Sequence, residues 1–304
     1  LTTSSVLPST LDNALPSPKN GDLARHLITL TKPAITRMVL ITMLCGALAS
    51  PDHVQSWSVL ALAMLGTVMV VGGANALNMY LERESDKRMK RTRTRPLPSG
   101  QLAPRIALAF GLALGFTGTL LLALAVNLIT AGLALFALVS YVWVYTPLKR
   151  VSPWALHAGA VPGAIPPVLG YTSVTGRLDA AAGALFLILF LWQIPHFLAI
   201  SIFRQSEYEA AGIRVLPAVK GLNHTLYAVV GYSLLLVVGS LAPLAVGLAG
   251  PVYAVVALTS GNVFLIWALI GLRAASPIAW ARSLFFASMP YLIALYATIV
   301  AVNI

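Results

Sequence analysis

Long apolar stretches, separated by short polar or basic loops, run through the chain from about residue 27 to residue 303. A helix needs roughly 20 apolar residues to cross a bilayer. Nine segments approach that length: 34–50, 57–81, 105–125, 127–145, 154–173, 180–203, 224–246, 251–272 and 283–303. None has the apolar–polar alternation of a membrane β-strand. The pattern predicts an all-α, polytopic membrane protein with nine transmembrane helices. Several segments contain Gly or Pro, which membrane helices tolerate. Residues 1–26 open with a Ser-, Thr- and Pro-rich stretch without apolar periodicity and are expected to be a disordered cytoplasmic tail, with 27–304 forming one membrane domain. That stretch lacks the charged start and apolar core of a secretory signal.

Composition agrees with a membrane protein. Of 304 residues, 58% are hydrophobic and 10% charged, and the mean hydropathy is +0.85. The net charge of +11 would suggest a nucleic-acid partner in a soluble protein, but its distribution has another origin. With nine spans and the N-terminus inside, 19 of the 20 Lys and Arg residues fall on the inner side, leaving only Arg177 outside. This is the positive-inside asymmetry. It places the N-terminus in the cytoplasm and the C-terminus outside, in the plasma (inner) membrane, and makes nucleic-acid binding unnecessary. The single cysteine, Cys45, excludes an intrachain disulfide and a Cys-based metal site.

Candidate chemistry gathers on the inner loops. Residues 78–100, NMYLERESDKRMKRTRTRPLPSG, carry three acids and seven Lys or Arg at the end of an apolar helix. Asn78, Glu82 and Asp86 recur every fourth position and share one helical face, while Glu84 points away. Oxygen ligands beside cations suit Mg²⁺ clamped to a phosphate group. The same spacing also serves a solvated helix end with pairs such as Asp86 and Lys90. Six cations crowd residues 87–95; Arg suits bidentate phosphate contacts, and anionic lipid would attract the same run. Lys149 and Arg150 in YTPLKR either cap a diphosphate or anchor a helix end. Glu207, Tyr208 and Glu209 lie in a second acidic segment on the same membrane side, though Glu207 and Glu209 diverge on a helix. His196 and His157 sit inside spans, where a functional role and a hydrogen bond to a neighbouring helix are both open. No acid lies within the spans, which argues against a transporter with a buried cation path.

Five ordered motifs carry a specific resemblance: N-x-Y-x-E-R-E-x-D-x-x-M-x-R-T-x-x-R-P-L-P-S-G at 78–100, YTPLKR at 145–150, GAVPGAIPPVLGY at 159–171, WQIPHFLAI at 192–200 and EYEAAGIRVLP at 207–217. LTKP at 30–33 precedes them. Across residues 27–303 the chain resembles the UbiA-type intramembrane prenyltransferases and, among them, the branch that farnesylates protohaem IX. The resemblance implies nine helices around a central cavity open to the cytoplasmic side. It implies Mg²⁺ as cofactor, and farnesyl diphosphate and haem B as substrates taken from the lipid bilayer. Farnesyl transfer to a haem vinyl group with addition of water would give haem O, passed to a haem-modifying or oxidase-assembly partner. The rival acceptors are an aromatic quinone precursor or a chlorin.

Carried over residue by residue, the resemblance assigns Asn78, Glu82, Asp86 and Glu207 to catalysis and metal binding. Arg91, Arg95, Lys149 and Arg150 take the diphosphate, Tyr208 accompanies Glu207, and His196 positions the porphyrin. Glu stands where Asp is usual at 82, 84 and 207, Ser206 replaces a frequent acid, and Ala155 replaces a frequent Asn.

Overall fold

The computed structural model describes residues 20–304. Residues 1–19, most of the expected tail, lie outside the described residues. The rest of that stretch is helical: α1 (Asn20–Leu30) continues through residues 20–26 because Leu23, Leu27 and Leu30 form one apolar face against Ala76, Met79 and Leu102. A break at Thr31 and Lys32 then bends the chain by 48° into α2 (Pro33–Leu48). There follow α3 (Trp57–Asp86), α4 (Pro104–Ala125), α5 (Leu128–Val139), a π-helical turn (Ser140–Tyr145) and the short α6 (Thr146–Leu148). The second half comprises α7 (Ala155–Thr175), α8 (Ala180–Phe203), α9 (Gln205–Ala210), α10 (Leu216–Gly239), α11 (Ala242–Ala245), α12 (Pro251–Ile270) and α13 (Pro277–Asn303).

Loop chemistry sets the helix starts. Asn127 and Asp179 cap α5 and α8, their side chains accepting backbone N–H bonds of 2.8 and 3.1 Å. Proline, which needs no intrahelical donor at the first position, opens α2, α4, α12 and α13. Among the described residues, seven helices are long and apolar enough to cross a membrane, or eight if the bent α1–α2 pair is one span. The expected nine is reached only by adding α7. Alone, α2 is short at 16 residues, and α7 is diluted by Pro162, Pro166 and Pro167. The sixth to seventh connection also differs from expectation: α10 begins at Leu216, before a sharp break at Gly221 (φ 82°, ψ 167°), and ends at Gly239 rather than 246.

The helices form one bundle whose two sides meet at α7. Buried residues of α3, α4 and α5 pack with Ile165 and Leu169, and those of α8, α10, α12 and α13 pack with Ala160, Val168 and Tyr171. Small residues permit the closest approaches. Gly170 of α7 lies against the Met43 carbonyl of α2, and Gly46 of α2 against the Pro167 carbonyl of α7. At the end away from the basic loops, Thr130 and Thr172 hydroxyls pair at 2.9 Å, and Arg177 bonds Asp52 at 2.8 Å.

A Cβ at Gly170 would collide with the Met43 carbonyl oxygen, whereas Gly132 faces open space. Gly170→Leu is expected to cost at least about 1–3 kcal/mol of stability. Gly132→Leu should stay within about 0.5 kcal/mol of the parent. Thermal unfolding in detergent measures both; equal midpoints would show that the α2–α7 approach is not limiting.

Candidate active site at the basic end

Apolar packing carries α3 through 30 residues, so its last turns project the acidic face into the basic loops. The three oxygen-bearing residues expected on that face are together there. Asn78 is buried, and its amide nitrogen donates to Glu82 Oε2 at 3.0 Å and to Thr146 Oγ1 at 3.1 Å. Asp86 is also buried and accepts from Arg95 at 3.0 Å. The loop that returns Arg95 is closed locally, with Thr92 Oγ1 donating to the Asp86 carbonyl at 2.9 Å. Glu84 projects outward, and its carboxylate pairs with Lys87 at 2.8 Å.

The π-helical turn supplies the other wall. Thr146 Oγ1 donates to the Tyr141 carbonyl at 2.8 Å and receives the Asn78 amide. One turn later the Lys149 ammonium pairs with Glu82 Oε1 and lies 4.7 Å from the Tyr145 ring centroid. Burial opposes the charge on Lys149, but Tyr145, Glu82 and Tyr141 outweigh it and hold the ammonium above the ordinary lysine value. Arg150 instead reaches the outer side of α3, donating to Ser85 Oγ at 3.2 Å.

The second acidic segment approaches from α9. The Arg214 backbone N–H donates to the Lys149 carbonyl at 3.0 Å, which ties this segment to the first half. Tyr208 neighbours Tyr145, Arg91, Lys149 and Arg204. Burial raises its hydroxyl above the usual phenol value, so it remains a neutral donor. Glu207 pairs with Arg204 at 3.0 Å instead of joining Glu82 and Asp86. Among the described residues no three acidic, His or Cys side chains are gathered as a ready-made metal cage. The donor set still fits a hard divalent cation: two carboxylates and a carboxamide, all oxygen, leave room for substrate oxygens and water.

His196 stands apart from these groups, on the α13 side of α8. Its Nδ1 pairs with Ser288 Oγ at 2.7 Å, and its ring lies between Trp192 and Phe285, each 4.5 Å away by centroid. Among the described residues its Nε2 makes no hydrogen bond. His157 pairs with Tyr232 at 2.7 Å and joins α7 to α10.

Four residues at the site escaped the sequence reasoning. Lys32 donates to Asn78 Oδ1 at 2.9 Å, and Asn75 donates to the Thr31 carbonyl beside it at 3.2 Å. Tyr141 lies in the π-helical turn, and Thr146 directly follows it at the start of α6. A signal existed for three of them: Lys32 stands in LTKP ahead of the ordered motifs, Thr146 stands in YTPLKR, and Asn75 lies one turn before Asn78 on the same helix. A cleft of about 470 Å³ between α1 and the basic loop reaches Arg95. A second, of about 480 Å³, lies behind α9 and is lined by Ser206 and Glu209.

The UbiA prenyltransferase family pattern matches residues 39–289. The chain is 55% identical to a protoheme IX farnesyltransferase of Sorangium cellulosum over 79% of this chain and 86% of that protein. It is 43% identical to the one of Myxococcus xanthus over 91% and 94%. The fold is similar to that of a digeranylgeranylglyceryl phosphate synthase (TM-score 0.79, 17% identity, 93% of this chain and 99% of that one). It is also similar to a UbiA homolog from Archaeoglobus fulgidus bound to GPP and Mg²⁺ (TM-score 0.63, 17% identity, 90% and 99%). By its sequence over most of its length, this integral membrane protein belongs to the UbiA prenyltransferase family.

Proposed function

We propose that this chain transfers the farnesyl group of farnesyl diphosphate to a vinyl group of protohaem IX, with addition of water, giving haem O and diphosphate. The observation that carries the reading is the acid–base cluster of Asn78, Glu82, Asp86, Lys149 and Arg95 at the end of α3, in a chain 55% identical to a protoheme IX farnesyltransferase. Residues 20–304 act as one membrane domain in the plasma (inner) membrane, with the basic end cytoplasmic and the C-terminus outside. The 19-to-1 distribution of cations supports that orientation.

Glu82, Asp86 and the Asn78 carboxamide, with Glu207 from α9, would hold Mg²⁺; when bound, the ion neutralises charge on the departing diphosphate. Lys149, Arg91 and Arg95 bind the diphosphate oxygens and stabilise the charge that grows as the C–O bond breaks, while Arg150, turned to Ser85, holds the outer side of α3. Tyr208, which burial keeps neutral, donates a hydrogen bond at the same place. The allylic carbon bonds to the terminal vinyl carbon, the adjoining carbon takes hydroxide from water, and a proton is released. Apolar walls of the bundle keep bulk water from intercepting the allylic cation first. His196, with Nδ1 fixed by Ser288, presents Nε2 to position the porphyrin. Haem O then passes to a downstream haem-modifying or oxidase-assembly partner.

Incubation of purified protein with haem B, farnesyl diphosphate and Mg²⁺ should yield haem carrying farnesyl plus water, read by mass spectrometry, and EDTA should abolish it. Unmodified haem from folded protein that binds the diphosphate would move the search to another acceptor. Asp86→Asn keeps the shape beside Arg95 and should lower Mg²⁺-dependent turnover by about 100-fold or more; parental turnover would remove Asp86 from the metal site. His196→Ala should weaken haem B binding more than farnesyl diphosphate binding. Equal losses would assign His196 to packing against Trp192 and Phe285.

A further inference from the structure

We infer that Lys32 is a diphosphate-binding residue of this site, aimed into it by a left-handed turn of the backbone at the α1–α2 break. The inference rests on the farnesyl-transfer reading above and adds a residue from a different element. Lys32 has φ 49° and ψ 68°, a conformation that L-residues other than Asn and Asp seldom adopt. Two side chains hold the turn: Asn75 donates to the Thr31 carbonyl at 3.2 Å, and Thr36 Oγ1 donates to the same oxygen at 3.0 Å. Strain kept in place by surrounding structure collects at functional positions. Here it sends the ammonium to Asn78 Oδ1, 2.9 Å away, on the oxygen face of α3.

The charges around it do not balance. Lys149 answers Glu82 and Arg95 answers Asp86. Lys32 forms no ion pair within 4.0 Å among the described residues, and its bond to Asn78 is partly buried. Arg95 and Lys149 are near enough to repel it, and Glu82 and Asp86 to attract it. Asn78 engages one of its three N–H donors. Three basic side chains thus converge on two carboxylates, and a diphosphate supplies further negative charge and acceptors. Lys32 therefore has no ion pair for an apolar side chain of similar size to break.

The test measures inorganic pyrophosphate binding in the presence of Mg²⁺ by calorimetry, with unfolding temperature and haem B binding alongside, on the full chain in detergent. Lys32→Met should weaken pyrophosphate binding about tenfold or more, without lowering the unfolding midpoint or haem affinity. Lys32→Gln, which can still donate to Asn78, should behave like Lys32→Met, and Lys32→Arg should stay within about threefold of the parent. Parental pyrophosphate affinity in Lys32→Met or Lys32→Gln overturns the inference. So does equal loss in Lys32→Arg, or a lowered midpoint with haem affinity falling in step. Failure of the parent protein itself to bind pyrophosphate would instead refute the farnesyl diphosphate reading.

Discussion

A charge at the end of an apolar helix has to meet its opposite within reach, because the bilayer beyond offers it nothing. Glu82 and Asp86 impose that need on the basic end of this protein. Lys149 meets the first from the end of α6, and Arg95 meets the second from the loop after α3. Asn78 connects the two sides by donating to both Glu82 and Thr146. These contacts fix how the α5–α6 end and the basic loop sit on α3. The acids are therefore preorganised and electrostatically satisfied, ready to exchange cationic side chains for an ion and a phosphate group.

The bundle beneath is stiff where it must be. Carbonyl groups of α2 and α7 face glycines of the other helix at Gly170 and Gly46, so the two backbones touch with no side chain between them. A Cβ on Gly111 would press into the Leu77 side chain, one residue before Asn78, which seats that part of α3 on α4. Residues held on packed helices keep their geometry better than residues on loops. That contrast separates Asn78, Glu82 and Asp86 on α3 from Glu207, which sits in the short α9 and pairs with its neighbour Arg204.

Fold and chemistry have different sources here. Solved structures only 17% identical share the architecture across about nine-tenths of the chain. A fold alone does not choose a substrate. The acceptor is read from WQIPHFLAI and the other ordered motifs, together with relatives at 43–55% identity. The exchange of Asp for Glu at position 82 is accommodated: the longer side chain reaches both Lys149 and the Asn78 amide.

The apolar runs determined the all-helical membrane architecture because bilayer thickness fixes the length of a crossing helix. They included α7 at 154–173 despite its prolines, and protein surrounds it on both sides. They missed α1, whose periodicity is amphipathic rather than apolar. Four-residue spacing determined the oxygen face of Asn78, Glu82 and Asp86, since helix geometry alone puts those positions in line. Only the tertiary structure decided their partners. Lys32 lies 46 residues from Asn78, and no local pattern links a lysine at a helix break to an amide on another helix. It also gave Glu207 to Arg204 and His196 to Ser288. Such pairings depend on which helices touch and how far each is rotated, and this is set by the packing of small residues along the whole bundle.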